Sequence, residues 1–200
     1  MKTLRAGLFV TLLLPVAALA QPTSTLTGCP AERAVYTMAT EGNDHVVHLI
    51  PAQTRAGWSS DLYLRLTTPQ RDYWFVFGVS ASQGNMTLLP VGDPYAPEAR
   101  VGGPANLIEA FRSRSPDAFP GELPSLLRFY VLDAELGFTP AQPQQGQPAP
   151  AFLLMPELNT ALWYHLPALT DDPSAERDPM PRGIFRLTEC LDTTPPAAFP

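Results

Sequence analysis

Lysine is almost missing from this chain: Lys2 stands alone among 200 residues, and every other basic residue is an arginine. Schiff-base chemistry on a lysine amine is thereby excluded from any mature protein that has lost its first residues. Cysteine is scarce, with two residues, and histidine is nearly so, with three. Neither forms the clustered spacing that a metal centre needs, and the two cysteines lack the two-residue spacing of a redox pair. Glycine (13) is outnumbered by proline (24), which argues against long helices and for short strands joined by stiff, irregular loops. There is no internal repeat and no second core.

The N-terminus carries the clearest signal. Lys2 and Arg5 precede an apolar stretch from Ala6 to Leu19, interrupted by Thr11 and Pro15, and Ala18-Leu19-Ala20 closes it with small residues. This is the pattern of a cleavable secretory leader over residues 1–20, with Gln21 as the expected first residue of the mature protein. The run is shorter than the about 20 apolar residues of a membrane anchor and ends in a cleavage pattern. The mature chain is therefore expected to have no transmembrane span. Leu26-Thr27-Gly28-Cys29 resembles the lipobox of bacterial lipoproteins, so lipid anchoring at Cys29 is the alternative address. Against it, the polar segment Gln21-Pro22-Thr23-Ser24-Thr25 separates that motif from the apolar core.

Removing Lys2 and Arg5 with the leader takes the net charge from −6 to −8. An acidic chain with scattered arginines has no electrostatic footprint for nucleic acid or an anionic membrane. Arginine without lysine, beside abundant alanine and proline, suggests a GC-rich bacterial source and hence a periplasmic or extracellular protein. In such an oxidising compartment Cys29 and Cys190 are expected to form a disulfide.

The mature chain divides into a lead-in over residues 21–33, a single β-rich domain over 34–191 and a loose tail over 192–200. Val35 to Ala39 and His45 to Ile50 flank Glu41-Gly42-Asn43-Asp44, a hairpin signal. Leu62, Leu64 and Leu66 alternate with Tyr63 and Arg65, and the apolar run Tyr73 to Val79 reads as a central strand. Met86 to Val91 is the returning strand. Pro104 to Arg112 offers a helix that would cover one face. Leu127 to Asp133 reads as a strand, Phe152–Met155 and Thr160–His165 as a hairpin or, from Pro156, a short helix, and Ile184 to Leu191 as the last strand. Residues 139–150, rich in proline and glutamine, are expected to be mobile. The fold class is mainly β: an antiparallel sandwich or barrel of about eight or nine short strands, with one covering helix and long Pro-rich loops.

Candidate chemistry is sparse. His45 and His48 have i, i+3 spacing, but on a strand they face opposite ways, so no metal site is expected. Asp44 beside His45, with Ser59, Ser60 or Ser80, could form a triad, although no nucleophile-elbow motif is present. Asp171, Asp172, Glu176 and Asp178 could wrap Ca²⁺ but lack the regular loop spacing. Tyr63, which alternates out of the leucine face, and Trp58 are candidate binding residues together with His45 and His48. No cofactor is implied. The expected function is that of a non-catalytic binding or cell-envelope accessory module whose partner is an envelope protein or small ligand. The alternative is a secreted or periplasmic hydrolase drawing on His45, His48 or His165 and nearby carboxylates.

Overall fold

A computed structural model describes residues 26, 28–38, 45–56, 59–79, 86–118 and 121–200. Ala18, Ala20, Gln21 and Trp58 lie outside these. Nine strands alternate with short helices. They are β1 (Ala34–Met38), β2 (His45–Pro51), β3 (Leu62–Thr67), β4 (Asp72–Val79), β5 (Met86–Val91), β6 (Arg128–Leu132), β7 (Phe138–Thr139), β8 (Phe152–Leu154) and β9 (Ile184–Cys190). The α-helices are α1 (Leu107–Arg114), α2 (Leu123–Leu126) and α3 (Leu158–Tyr164).

The sheet runs β5-β4-β3-β2-β1-β9-β8-β6, every neighbour antiparallel, and a further β5–β6 pairing closes it into an eight-stranded barrel. The architecture is thus a barrel, not a sandwich. Closure depends on β6 dividing its edge: Arg128 and Phe129 pair with Thr87 and Met86 of β5, while Val131 and Leu132 pair with the extra strand β7. The β1–β9 ladder, with a bulge at Val35/Tyr36, seams the two ends of the chain together. There Cys29 and Cys190 form the expected disulfide, with Cα atoms 5.8 Å apart, well within bonding reach. With its sulfur in this bond, Cys29 has no thiol left for a lipid thioether.

Period-2 alternation sorts the side chains. Val47, Leu49, Leu64, Leu66, Tyr73, Phe75 and Phe77 point inward and are all buried, with Tyr36, Phe129 and Phe185 completing the interior. An eight-stranded barrel is just wide enough for side chains to fill it. Each fully buried aromatic or leucine contributes roughly 1.5–3 kcal/mol of burial free energy, so the filled interior is the main source of stability. The helices do not only cover a face. Leu123 of α2 and Leu158, Ala161 and Leu162 of α3, followed by Leu166, Ala168 and Leu169, enter the same core and stopper one end.

Three expectations need correction, and the choice between hairpin and helix after Pro156 is resolved. Among the described residues there are three α-helices instead of one. Residues 158–164 are helical, because Leu158, Ala161 and Leu162 recur at i, i+3, i+4 after the turn at Pro156 and all three are buried. The Pro-Gln loop is bound across the other end of the barrel: Pro143 O accepts from Ser60, Gln144 and Gln145 donate to Ser59, Ala52 and Asp61 main-chain carbonyls, and Ala31 and Ala149 bond Gln147 and Cys29. Residues 192–200 are no loose tail over their last part, for Ala198 is fully buried against Ala52.

Candidate functional site

The three histidines are placed apart. His45 opens β2, shares the inward face with Val47 and Leu49, and is 2 % exposed with no hydrogen-bond partner on either ring nitrogen. His48 faces outward across from Arg65. Burial and then the Arg65 charge hold its imidazole below the ordinary value, partly offset by Asp72. His165 ends α3 with Nε2 3.4 Å from Glu122 Oε1. Ser59 and Ser60 donate to the carbonyls of Phe77 and Pro143, at 2.6 and 2.7 Å. They precede Leu62, which pairs with Pro51, whereas His45 lies at the Val46–Thr67 end of the same ladder. Five strand residues, roughly 17 Å, separate the two ends. These serines and His45 form no triad; Asp44 and Ser80 lie outside the described residues.

A polar cluster that sequence reasoning missed sits at His45's end of the barrel. Asp178, 1 % exposed, accepts from Thr68 Oγ1 at 2.6 Å and Tyr73 OH at 2.9 Å, both on Oδ2, and its Oδ1 has no partner. Thr68 is held by the turn that follows β3, where its Oγ1 also accepts from Gln70 and Arg71 main-chain N–H groups. Burial first, then the Asp178 carboxylate, pushes the Tyr73 phenol far up. No basic side chain among the described residues pairs with Asp178. Nothing in the sequence marks this aspartate, because its only cue is a fold that turns it inward out of an acidic loop. Asp171, Asp172 and Glu176 of that loop stay exposed. The four acids therefore do not converge, and among the described residues no group of three or more His, Cys, Asp or Glu is arranged to hold a metal.

Outside this cluster lies a cleft of about 370 Å³ between the end of α1 and residues 167–175. Phe111, Pro167, Pro173 and Ala175 form its apolar lining, with Arg114, Ser115, Thr170, Asp171 and Asp172 as its polar groups. α1 is well built to present it. Asn106 Oδ1 caps the helix by accepting from Glu109 N at 3.2 Å, and Arg112 and Arg114 occupy its last turn, where the helix dipole favours cations. Asp172 is tied to Arg71 at 3.2 Å, and the Ser174 hydroxyl and N–H hold its carboxyl below the ordinary range. Arg114 is exposed and makes no ion pair among the described residues.

Tyr63 does point away from the leucine face, as its alternation predicts, but it is fully buried on the barrel's outer surface. Together with Ile50, Trp74 and Val91 it floors a groove filled by Ala198. Its hydroxyl donates to Phe199 O at 2.6 Å, and burial pushes its phenol up to about 12. Beside it the Arg65 guanidinium lies 5.6 Å from the Trp74 ring, and Tyr95 packs edge-on to Trp74 at 5.7 Å.

No family model, curated protein or solved structure matches the chain. No helix among the described residues is long and apolar enough to cross a membrane.

Proposed function

We propose that this chain is an exported, non-catalytic binding module of the cell envelope, periplasmic or extracellular, whose ligand seat is the cleft beside α1. The observation that carries this reading is the filled barrel. Aromatic and leucine side chains occupy the interior in which small barrels hold a ligand, so recognition falls to surface features presented by a rigid scaffold. The cleft is lined by Arg114, which makes no ion pair among the described residues, by the apolar Phe111 and Pro173, and by Asp171 and Asp172, the latter tied to Arg71. That combination suits a small ligand, or a peptide segment, carrying one carboxylate next to an apolar group.

The hydrolase alternative draws on His45, His48 or His165 and nearby carboxylates. His165 lies 3.4 Å from Glu122, with no serine bonded to it among the described residues, and His45 lies at the same end of the barrel as Asp178. His45 and Asp178 are both about 1–2 % exposed, and a general base must come within hydrogen-bond reach of its substrate. Two assays separate the readings. The exported protein is profiled on ester, peptide and glycoside substrates, with His45→Ala, His48→Ala and His165→Ala alongside. It is also used to capture ligands from envelope extract, with Arg114→Glu alongside. The expected result is no turnover, and a captured ligand lost on Arg114→Glu. Turnover abolished by one of the histidine substitutions would overturn the proposal.

A further inference from the structure

We infer that the groove over Tyr63 and Trp74 is a recognition site for an extended, uncharged, proline-rich segment of another protein, and that residues 196–200 occupy it as an exchangeable strap. The inference adds a second seat to the binding-module reading and does not use the cleft beside α1.

The strap shows how such a segment is read. Its main chain is bonded on both sides: Ala198 N donates to Pro51 O at 2.8 Å, Gln53 N to Ala198 O at 2.9 Å, Thr54 N to Pro200 O at 2.8 Å and Phe199 N to Pro94 O at 3.1 Å. Two tyrosine hydroxyls supply further donors to strap carbonyls, Tyr63 to Phe199 O at 2.6 Å and Tyr95 to Pro196 O at 2.5 Å. An aromatic-lined groove whose hydroxyls bond main-chain carbonyls suits an extended Pro-rich chain, which keeps its carbonyls free and loses little entropy on docking. Side-chain selection is simple. Position 198 must be small, because Ala198 is fully buried on Ala52, Tyr63 and Trp74, and position 199 is aromatic, lying 5.5 Å from the Arg100 guanidinium.

The same region has the features of a release point. Residues 192–195 make no hydrogen bond among the described residues, whereas Leu191 is bonded to Arg33 and Cys190 is fixed by the disulfide. The strap can therefore leave without unpairing β9. Its departure would uncover Ile50, Tyr63, Trp74 and Val91 together, a contiguous apolar patch of the kind that marks an interaction site. Residues 193–200 carry no charged side chain, and the partner segment is assigned the same character.

The test uses the full exported chain with Ala198→Asp, which places a carboxylate where the strap needs a methyl group and leaves every groove residue intact. The probe is a labelled synthetic peptide with the sequence of residues 193–200. It is expected to bind the variant and to bind the unaltered chain at least about tenfold more weakly, because the tethered strap competes at high effective concentration. Adding Tyr63→Phe and Tyr95→Phe is expected to weaken binding to the variant roughly tenfold, the loss of two hydrogen bonds. Should Ala198→Asp not fold, the unaltered chain is examined by hydrogen exchange in excess peptide. Ala198 and Phe199 amides are then expected to lose protection while Gln53 and Thr54 keep it. A folded variant that binds no peptide, equal binding to both chains, or indifference to the tyrosine changes would overturn the inference. So would unchanged exchange in excess peptide, or a dimer of the unaltered chain joined by exchanged straps. None of those outcomes bears on turnover, which alone decides against the binding-module reading.

Discussion

At the end of the barrel where β1 begins and β9 stops, a covalent bond and the Pro-Gln loop close the structure, and Ser59, Ser60, Asp61, Gln144 and Gln145 are all hydrogen-bonded there. Among the described residues there, only the Gln142 amide is left without partners. At the opposite end the stopper is made of short helices and residues 171–183, and both His45 nitrogens, Asp178 Oδ1, Arg71 Nε and Asn159 Oδ1 are buried without partners. A buried polar atom with no partner costs about 1–3 kcal/mol. The helical end thus keeps unmet polar groups beside its cleft, while the disulfide end is a closed base. On that ground local opening is expected to begin at the helical end.

The largest test of this contrast is removal of its covalent part. Replacing Cys29 and Cys190 by serine frees a connection of 161 residues, worth up to about 5 kcal/mol in the chain-entropy account. Denaturant midpoints should fall accordingly, and the two ends should lose their difference in protection. Next in size is Asp178→Ala. It leaves the Thr68 and Tyr73 hydroxyls buried without their carboxylate acceptor and should cost about 2–4 kcal/mol. Asp178→Asn, which keeps an acceptor oxygen, should cost clearly less. Equal losses would mean that the charge, not the bonding, matters. At the base, Gln145→Ala removes the side-chain bonds to Ala52 O and Asp61 O and should cost about 1–2 kcal/mol by the same measurement.

How much of this was legible beforehand follows from which forces are local. Strands β2 to β5 were readable because alternation and apolar runs carry their burial pattern, and the disulfide because an even cysteine pair has one partner choice. Between the hairpin and the short helix from Pro156 the sequence left a choice: Trp163 and Tyr164 carry strand propensity, but both are exposed on the finished helix, and burial of Leu158, Ala161 and Leu162 decided for the helix. The Pro-Gln loop has too few apolar residues to pack, yet its amides and carbonyls meet groups from residues 29–33 and 52–61 that are distant in sequence. Asp178 and the strap were illegible for the same reason, since their partners Thr68, Tyr73, Pro51 and Pro94 lie 105 to 147 positions away. The open choice between sandwich and barrel turned on a two-residue pairing between β5 and β6.

His48, on the outer wall between the two ends, gives the smallest effect. Its folded pKa lies below the unfolded value near 6.5, so in the interval between them the unfolded chain binds more protons. The His48 contribution is complete above about pH 6.5 and declines as pH falls through the folded value. His48→Gln should flatten the stability profile on the acid side of about pH 6.5 and leave its shape near pH 8 unchanged.

The contrast itself is tested most directly by native-state hydrogen exchange on the intact, disulfide-bonded chain, comparing amides bonded at each end. Those of Ala31 and Ala149, joined to Gln147 and Cys29, should exchange only through global unfolding. Those of Thr68 and Ala175, joined to Arg71 and Asp172, should exchange through local opening at much lower free energy. Uniform protection, or an opening that begins at Ala31 and Ala149, would contradict the account.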